Sequence, residues 1–394
     1  MKAALFCILV VLLVLGFALP ACTTPPMPLP AEIRLGCLMS TSAVPAWGPN
    51  LIKAAQLGVE AVNSHGGIDN RPLKLIIQDE GPTSASSLYA AHKLIEESGV
   101  QVILGGTTSE DIMTLGPYIA SKGVLLVSPS ATSSSLSKYG WSKWVFRVPP
   151  SDSLQGGVAA KIIKEKGYKR VAMLVQDSVY GRGIEEAIME FLRGISEVVI
   201  SQRYDPAKLS YLAELNSIKD KKPDCVFHAG YYDDGAVIYA QALGLGMDSI
   251  PWIAADGVFD MPLGKYTEAA KFMEKAVTGT VPVADLKSEA YTKFAERYEA
   301  LYDIRPTIFC DTTYDGANLI GDAIRQAGVY QGKAIRDALA VLGNSYQGVS
   351  GTITFNSSGE RLAGIYGVWK VKMEGTQYQF EITGQPINFT RAGQ

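Results

Sequence analysis

Two short stretches rich in glycine and hydroxyls have the composition to hold an anion: Gly105-Gly106-Thr107-Thr108-Ser109 and Ser128-Pro129-Ser130-Ala131-Thr132-Ser133-Ser134-Ser135. Glycine lets backbone come close to a ligand, and hydroxyls beside the free amides of a helix start meet a negative charge. Taken alone, either stretch is equally well explained as plain helix capping by Ser and Thr. A different set of groups occurs later in the chain. Gln176 leads into Asp177-Ser178-Val179-Tyr180-Gly181, Ala229 into Gly230-Tyr231-Tyr232-Asp233, and Ala255 into Asp256-Gly257. Aromatic rings can cover a small molecule, and one carboxylate can pair with an ammonium. Singly, a tyrosine is ordinary packing and Asp-Gly an ordinary turn. Together the two sets match a zwitterion gripped between an anion-binding wall and an acidic, aromatic one.

The elements that must position these groups follow a repeated rhythm of apolar run, small-residue loop and amphipathic helix. Strands are predicted at Ile33–Met39, Leu73–Gln78, Val100–Leu104 and Val124–Val127, and helices at Leu51–His65, Ser84–Ser98 and Asp111–Lys122. Runs that are apolar throughout and alternate with helices indicate parallel strands covered on both faces. The rhythm breaks at Arg147-Val148-Pro149-Pro150 and restarts with strands at Arg170–Gln176, Val198–Arg203, Cys225–Ala229 and Trp252–Ala255, separated by helices. Thr278–Pro282 is expected as a connection. Helices follow at Ser288–Tyr302, Tyr314–Ala327 and Ala334–Val341, and the tail from Gly348 reads as β structure. The fold class is therefore α/β, with a Rossmann-like half used twice. In such sheets ligands sit beyond the carboxyl ends of the strands, where the loops named above fall.

Composition narrows the function classes. A formal net charge of −3 over 394 residues, without a long basic run, argues against nucleic acid as a partner. His65, His92 and His228 are far apart and match no catalytic pattern; surface or loop positions are expected for them. The turn after the first strand, Ser40-Thr41-Ser42-Ala43-Val44-Pro45, lacks the glycine fingerprint of a dinucleotide enzyme. Cys37, Cys225 and Cys310 have no CxxC spacing and are expected to be buried thiols, so no metal or cofactor is expected. Residues 1–21 begin with Met1-Lys2 and continue through an apolar stretch to Leu19-Pro20-Ala21-Cys22, which reads as an export signal. It resembles a bacterial lipoprotein signal, which implies acylation of Cys22 and a lipid anchor to the membrane. Residues 22–31, rich in proline, read as an extended tether.

At family level the chain resembles the branched-chain amino acid ABC-transporter substrate-binding proteins, the Leu/Ile/Val-type group of type I periplasmic binding proteins. The resemblance is carried by Trp47-Gly48-Pro49, Asn63 to Ile68, Gly105–Ser109, Ser128–Thr132, Asp177–Gly181, Gly230-Tyr231-Tyr232 and Asp256-Gly257. It implies two Rossmann-like lobes joined by a three-strand hinge with crossings near Val148, Gly279 and Gly348. The lobes would be 32–147 plus 279–348 and 148–278 plus 349–394. It also implies that Ser109 and Thr132 hold a ligand carboxylate, that the Ser130 carbonyl accepts from the ammonium, and that Asp256 faces it. Tyr180 and Tyr231 would close over the ligand and Trp47 would line the side-chain pocket, to which Tyr118 and Tyr232 are further candidates. The family often has glutamate where Asp256 stands, and a cysteine pair of some members would fall near Gly81 and Thr108, so that disulfide is absent. The implied protein is a monomer that is not an enzyme. It would bind a small amino acid outside the cytoplasm, branched-chain or otherwise aliphatic, and deliver it to an ABC permease. The rival reading on the same fold is a sensing protein for an amide, urea or aromatic acid.

Overall fold

The computed structural model describes residues 28–390. The expected signal 1–21, Cys22 and most of the tether lie outside the described residues. The first half of the chain forms β1 (Ile33–Met39), α1 (Gly48–Ser64), β2 (Leu73–Asp79), α2 (Ser84–His92), β3 (Val102–Gly105), α3 (Ser109–Lys122), β4 (Leu125–Ser128) and β5 (Val145–Pro150). The alternation restarts with α4 (Asp152–Glu165), β6 (Arg170–Gln176), α5 (Val179–Leu192), β7 (Glu197–Tyr204), α6 (Leu212–Asp220), β8 (Cys225–Ala229), α7 (Tyr232–Gly244), β9 (Trp252–Ala254), α8 (Thr267–Ala276) and β10 (Val277–Pro282). The chain then adds α9 (Glu289–Tyr302), α10 (Cys310–Ala327), α11 (Gly332–Leu342), the hairpin β11 (Tyr346–Gly348) and β12 (Gly351–Ile353), β13 (Glu360–Arg361), β14 (Ala363–Glu374) and β15 (Gln377–Thr390).

Two large sheets result, beside the two-stranded β11-β12 hairpin. The first runs β13-β5-β4-β3-β1-β2 and the second β15-β14-β10-β9-β8-β6-β7. Strands of the first half pair in parallel, with Ile33 opposite Leu73 and Val102 opposite Leu125. β1, β3 and β4 are buried on both faces because α1 and α10 cover one side and α2 and α3 the other, while the edge strand β2 is partly exposed. Within the second sheet, β14 and β15, which close one edge, run antiparallel to their neighbours. The expected class, two α/β lobes with parallel-sheet cores, is what the chain adopts.

Three expectations change. Arg147 to Pro150 is the end of strand β5, not a break: β4 pairs only as far as Arg147, and on the other side Pro150 faces the edge strand β13 past a register shift, where a missing donor is tolerated. Thr278 to Pro282 is strand, not connection, because β-branched residues flank Gly279 and a Cβ there would fall 2.0 Å from the Trp369 ring. The crossings move accordingly. β10 pairs wholly within the second sheet, so the chain leaves that lobe after Pro282 and not at Gly279. Glu360 and Arg361 still pair with β5, so the last crossing follows Arg361 and not Gly348. The three crossings therefore cluster near residues 151, 283 and 362.

His228 also departs from its expected surface position. It is fully buried on β8, where its ring faces Tyr204 and Tyr239 through both nitrogens, at 3.2 and 2.8 Å. Burial depresses its pKa to about 3, so the ring is a neutral core group. Cys37, Cys225 and Cys310 are free and buried, as their contexts indicate.

Candidate functional site

The two anion-suited loops sit side by side because β3 and β4 are neighbours and end together. α3 is started by a reciprocal cap: the Asp111 amide donates to Thr108 Oγ1 at 3.2 Å, and the Asp111 carboxylate accepts from the Thr108 amide at 2.9 Å. Just before it, Gly106 adopts a φ of +76° and a Cβ there would lie 2.2 Å from the Ile112 side chain, so only glycine fits this bend. The buried Glu80 carboxylate fixes the turn by accepting from the amides of Gly106 and Thr107. Ser109 is thereby held at the first turn of α3, where the Ser133 amide donates to its Oγ at 3.2 Å. Ser130 donates to the Thr107 carbonyl at 2.7 Å, which ties the second loop to the first.

The opposite wall comes from the carboxyl ends of β6, β8 and β9. Ser178 caps α5 by accepting from the Gly181 amide, which places Tyr180 on the inner turn. The Tyr180 and Tyr231 rings stack with centroids 5.2 Å apart. Tyr180 donates its hydroxyl to Asp256 Oδ1 at 2.7 Å. Asp256 is buried, and burial raises its pKa although the Tyr180 hydroxyl opposes the shift. The same burial, with Asp256 beside it, pushes Tyr180 well above the ordinary phenol range.

The two walls face each other across one cleft. Its lining includes all seven residues expected from sequence: Trp47, Ser109, Ser130, Thr132, Tyr180, Tyr231 and Asp256. Among the described residues, the lining holds no lysine or arginine. Thr107 and Gly257, from the loops already singled out, line it as well, and Phe259, Ile308 and Phe309 complete it and were not anticipated. Phe309 stands in a left-handed conformation at the start of α10 and meets Trp47 edge-on at 6.1 Å. No local pattern marks Phe259, Ile308 and Phe309, since Phe259 comes from one lobe and Ile308 and Phe309 from the other. Tyr118 is a correction: it lies on α3 with its hydroxyl near Glu96 and does not line the cleft. Tyr232 packs behind the cleft instead of lining it.

The lobes are closed on one another. Glu110 accepts from the Tyr180 amide at 3.2 Å, Ser133 donates to the Val179 carbonyl at 2.8 Å, and the Asp260 carboxylate accepts from the Ile308 amide at 3.0 Å. Gly183 lies at the tightest approach, where a Cβ would fall 2.1 Å from Ser133 Oγ. Gly183→Leu is therefore expected to leave the folded lobes intact, since leucine is a good helix former, while obstructing closure. Calorimetry should show ligand affinity falling tenfold or more, roughly 1.4 kcal/mol or above. Equal affinity in the variant would mean that this contact is not part of the ligand-bound state.

Among the described residues there is no cluster of ligating side chains that could hold a metal ion, and no helix long and apolar enough to cross a membrane. The site thus offers binding groups: hydroxyls and a helix start on one side, a carboxylate and rings on the other.

Known proteins share this arrangement of lobes. The chain is 27% identical over 347 residues to a Leu/Ile/Val-binding protein of Rhizobium johnstonii, covering 86% of this chain and 92% of that protein. It is 23% identical over 322 residues to a leucine-, isoleucine-, valine-, threonine- and alanine-binding protein of Pseudomonas aeruginosa, covering 81% and 84%. The crystal structure of a branched-chain amino acid transporter substrate-binding protein from Streptococcus pneumoniae, in complex with isoleucine, superposes with a TM-score of 0.76 at 25% identity over 89% of this chain and 99% of that one. A solute-binding protein from Rhodopseudomonas palustris in complex with 3,4-dihydroxybenzoic acid shares the fold, with a TM-score of 0.75 at 20% identity over 92% and 99%. A family model described as periplasmic binding protein matches residues 32–376, nearly all of the two lobes. With its paired sheets, its three clustered crossings and its interlobe cleft, this chain belongs to the periplasmic binding protein family.

Proposed function

We propose that this chain is the extracytoplasmic substrate-binding component of an ABC importer, capturing a branched-chain or other aliphatic amino acid by closure of its lobes. The observation that carries the reading is the cleft itself. One wall carries Ser109, Thr132 and the start of α3, and the other carries Asp256 with Tyr180 and Tyr231. Burying a zwitterion is costly unless each charge is met. Here the hydroxyls and helix start meet the carboxylate, the Ser130 carbonyl and Asp256 meet the ammonium, and Trp47 with Phe259, Ile308 and Phe309 surround an apolar side chain. A ligand that touches both walls favours the closed state through contacts that an open one lacks. In this reading residues 1–21 direct export, Cys22 carries the lipid, residues 22–31 form the tether, and the closed monomer presents its lobes to a membrane permease.

The second reading, a binding protein for an aromatic acid, is favoured by the rings in the cleft and by the relative in complex with dihydroxybenzoic acid. Its weakness is Asp256, which such a ligand would leave buried without a cation. Thermal unfolding against L-leucine, L-isoleucine, L-valine, polar amino acids, urea, small amides and benzoate separates these readings. An amino acid at 100 times its dissociation constant is expected to add about 2.7 kcal/mol of stability. Stabilisation by benzoate and by no amino acid would replace the first reading with the second.

A further inference from the structure

Asp152 is fully buried at the first crossing; the Thr132 hydroxyl is the one side-chain donor turned toward its carboxylate, at a geometry too poor to count as a full hydrogen bond, and no cation pairs with it. An aspartate at a helix start normally caps it, but here the work is done by Ser151. The Ser153 amide donates to Ser151 Oγ and the amides of Leu154 and Gln155 donate to the Ser151 carbonyl. The Asp152 amide donates to the carbonyl of Thr132, a lining residue of the cleft. The carboxylate is thus a buried acid without a salt-bridge partner, lying behind the cleft residue Thr132 and with no capping task in the helix.

The charges around it do not balance. Asp152 is faced by Arg147 and Glu360 from the first sheet, by Asp256 from the end of β9, by Tyr180 and Tyr231 from the starts of α5 and α7, and by Tyr366 from β14. Arg147 is the one cation in that set, and it pairs with Glu360 at 3.4 Å and donates to the Ser133 carbonyl and Ser137 hydroxyl. Asp152 and Asp256 are left as two buried acids sharing no counter-ion.

Resting on the amino-acid reading above, we propose that Asp152 is a second counter-charge of the cleft. With Asp256 it holds one proton between two carboxylates when the cleft is empty, and the ammonium of an entering amino acid replaces that proton, which passes to solvent. Two like acids in one buried site cannot both ionise cheaply, whereas a cation placed between them allows it. Burial and the neighbouring acid both raise Asp152 well above the ordinary carboxylate range, in line with a retained proton. The sign follows: the bound state carries fewer protons, so affinity rises with pH through the titration of the pair, by up to about tenfold per pH unit for one proton.

The test is calorimetry of the full protein with the tightest binder among L-leucine, L-isoleucine and L-valine, in buffers of different ionisation enthalpy, from about pH 5 to about pH 8. Wild type is expected to release up to one proton per ligand over part of this range. Asp152→Asn is expected to release almost none and to bind at least tenfold more weakly near neutral pH. Ligand binding without proton release in wild type overturns the inference, as does equal release from the variant. If the variant does not fold, the wild-type proton count decides alone. A protein that responds to no amino acid at all sinks the reading of the site, and this inference with it, which is a different result from binding without proton release.

Discussion

Asp256→Ala is expected to weaken amino-acid binding by about 2–5 kcal/mol, because it removes one member of a desolvated charge pair and leaves the ligand ammonium facing a cavity. It also takes the acceptor from the buried Tyr180 hydroxyl, which now donates to Asp256 at 2.7 Å. Asp256→Asn isolates the charge, since the amide oxygen can still accept from Tyr180. Unliganded stability should move differently. Burial raises the pKa of Asp256, so the folded state takes up this proton more readily than the unfolded chain. Stability contributed by such a group is present at low pH and is lost as pH rises through the raised value. At neutral pH Asp256→Asn should therefore unfold at the same denaturant concentration as wild type or a higher one, whereas Asp256→Ala also bears the cost of the unsatisfied Tyr180 hydroxyl. Calorimetry and urea unfolding check both halves. Unchanged affinity in Asp256→Ala would remove this residue from the site, whatever happened to stability.

Arg147→Ala is expected to cost about 3–5 kcal/mol of folding stability, since it strips the cation from a buried pair and leaves Glu360 uncompensated. Arg147 is about 2% exposed and Glu360 about 8%, so water cannot readily replace the lost partner. Glu360 also accepts from the Ser151 hydroxyl, and Arg147 also holds the carbonyl of Ser133 beside the cleft. These contacts join β5, β13 and the loop after β4 at the place where the chain crosses between lobes. The loss should thus appear in urea unfolding and, through the loosened Ser133 loop, in weaker ligand binding. A loss below about 1 kcal/mol would mean that the pair is screened and contributes as an exposed one does.

Much of this architecture can be read from residue order, because its parallel strands are apolar throughout and its helices amphipathic. The tips of β3, β4, β6, β8 and β9 are where such sheets bind ligands, and those tips carry hydroxyls, tyrosines and Asp256 in the sequence itself. What escaped was decided by contacts between distant segments. Pro149 and Pro150 look like breakers until β4 is seen to end beside Arg147. Gly279 looks like a turn until Trp369 lies across it. His228 has a polar side chain on a strand of Cys225-Val226-Phe227, and only the phenols of Tyr204 and Tyr239 make its burial tolerable. Phe259 and Phe309 are ordinary apolar residues that opposite lobes bring to one cleft. Asp152 is the sharpest case, because Ser-Asp before a helix reads as a cap and here the serine alone caps.

A crystal structure grown with the best-binding amino acid tests the central claim most directly. Both lobes should contact the ligand, with its carboxylate within hydrogen-bond distance of Ser109 and Thr132 and its ammonium turned toward Asp256. Density for the amino acid on one lobe only, or in a place remote from the Tyr180–Asp256 pair, would contradict the account.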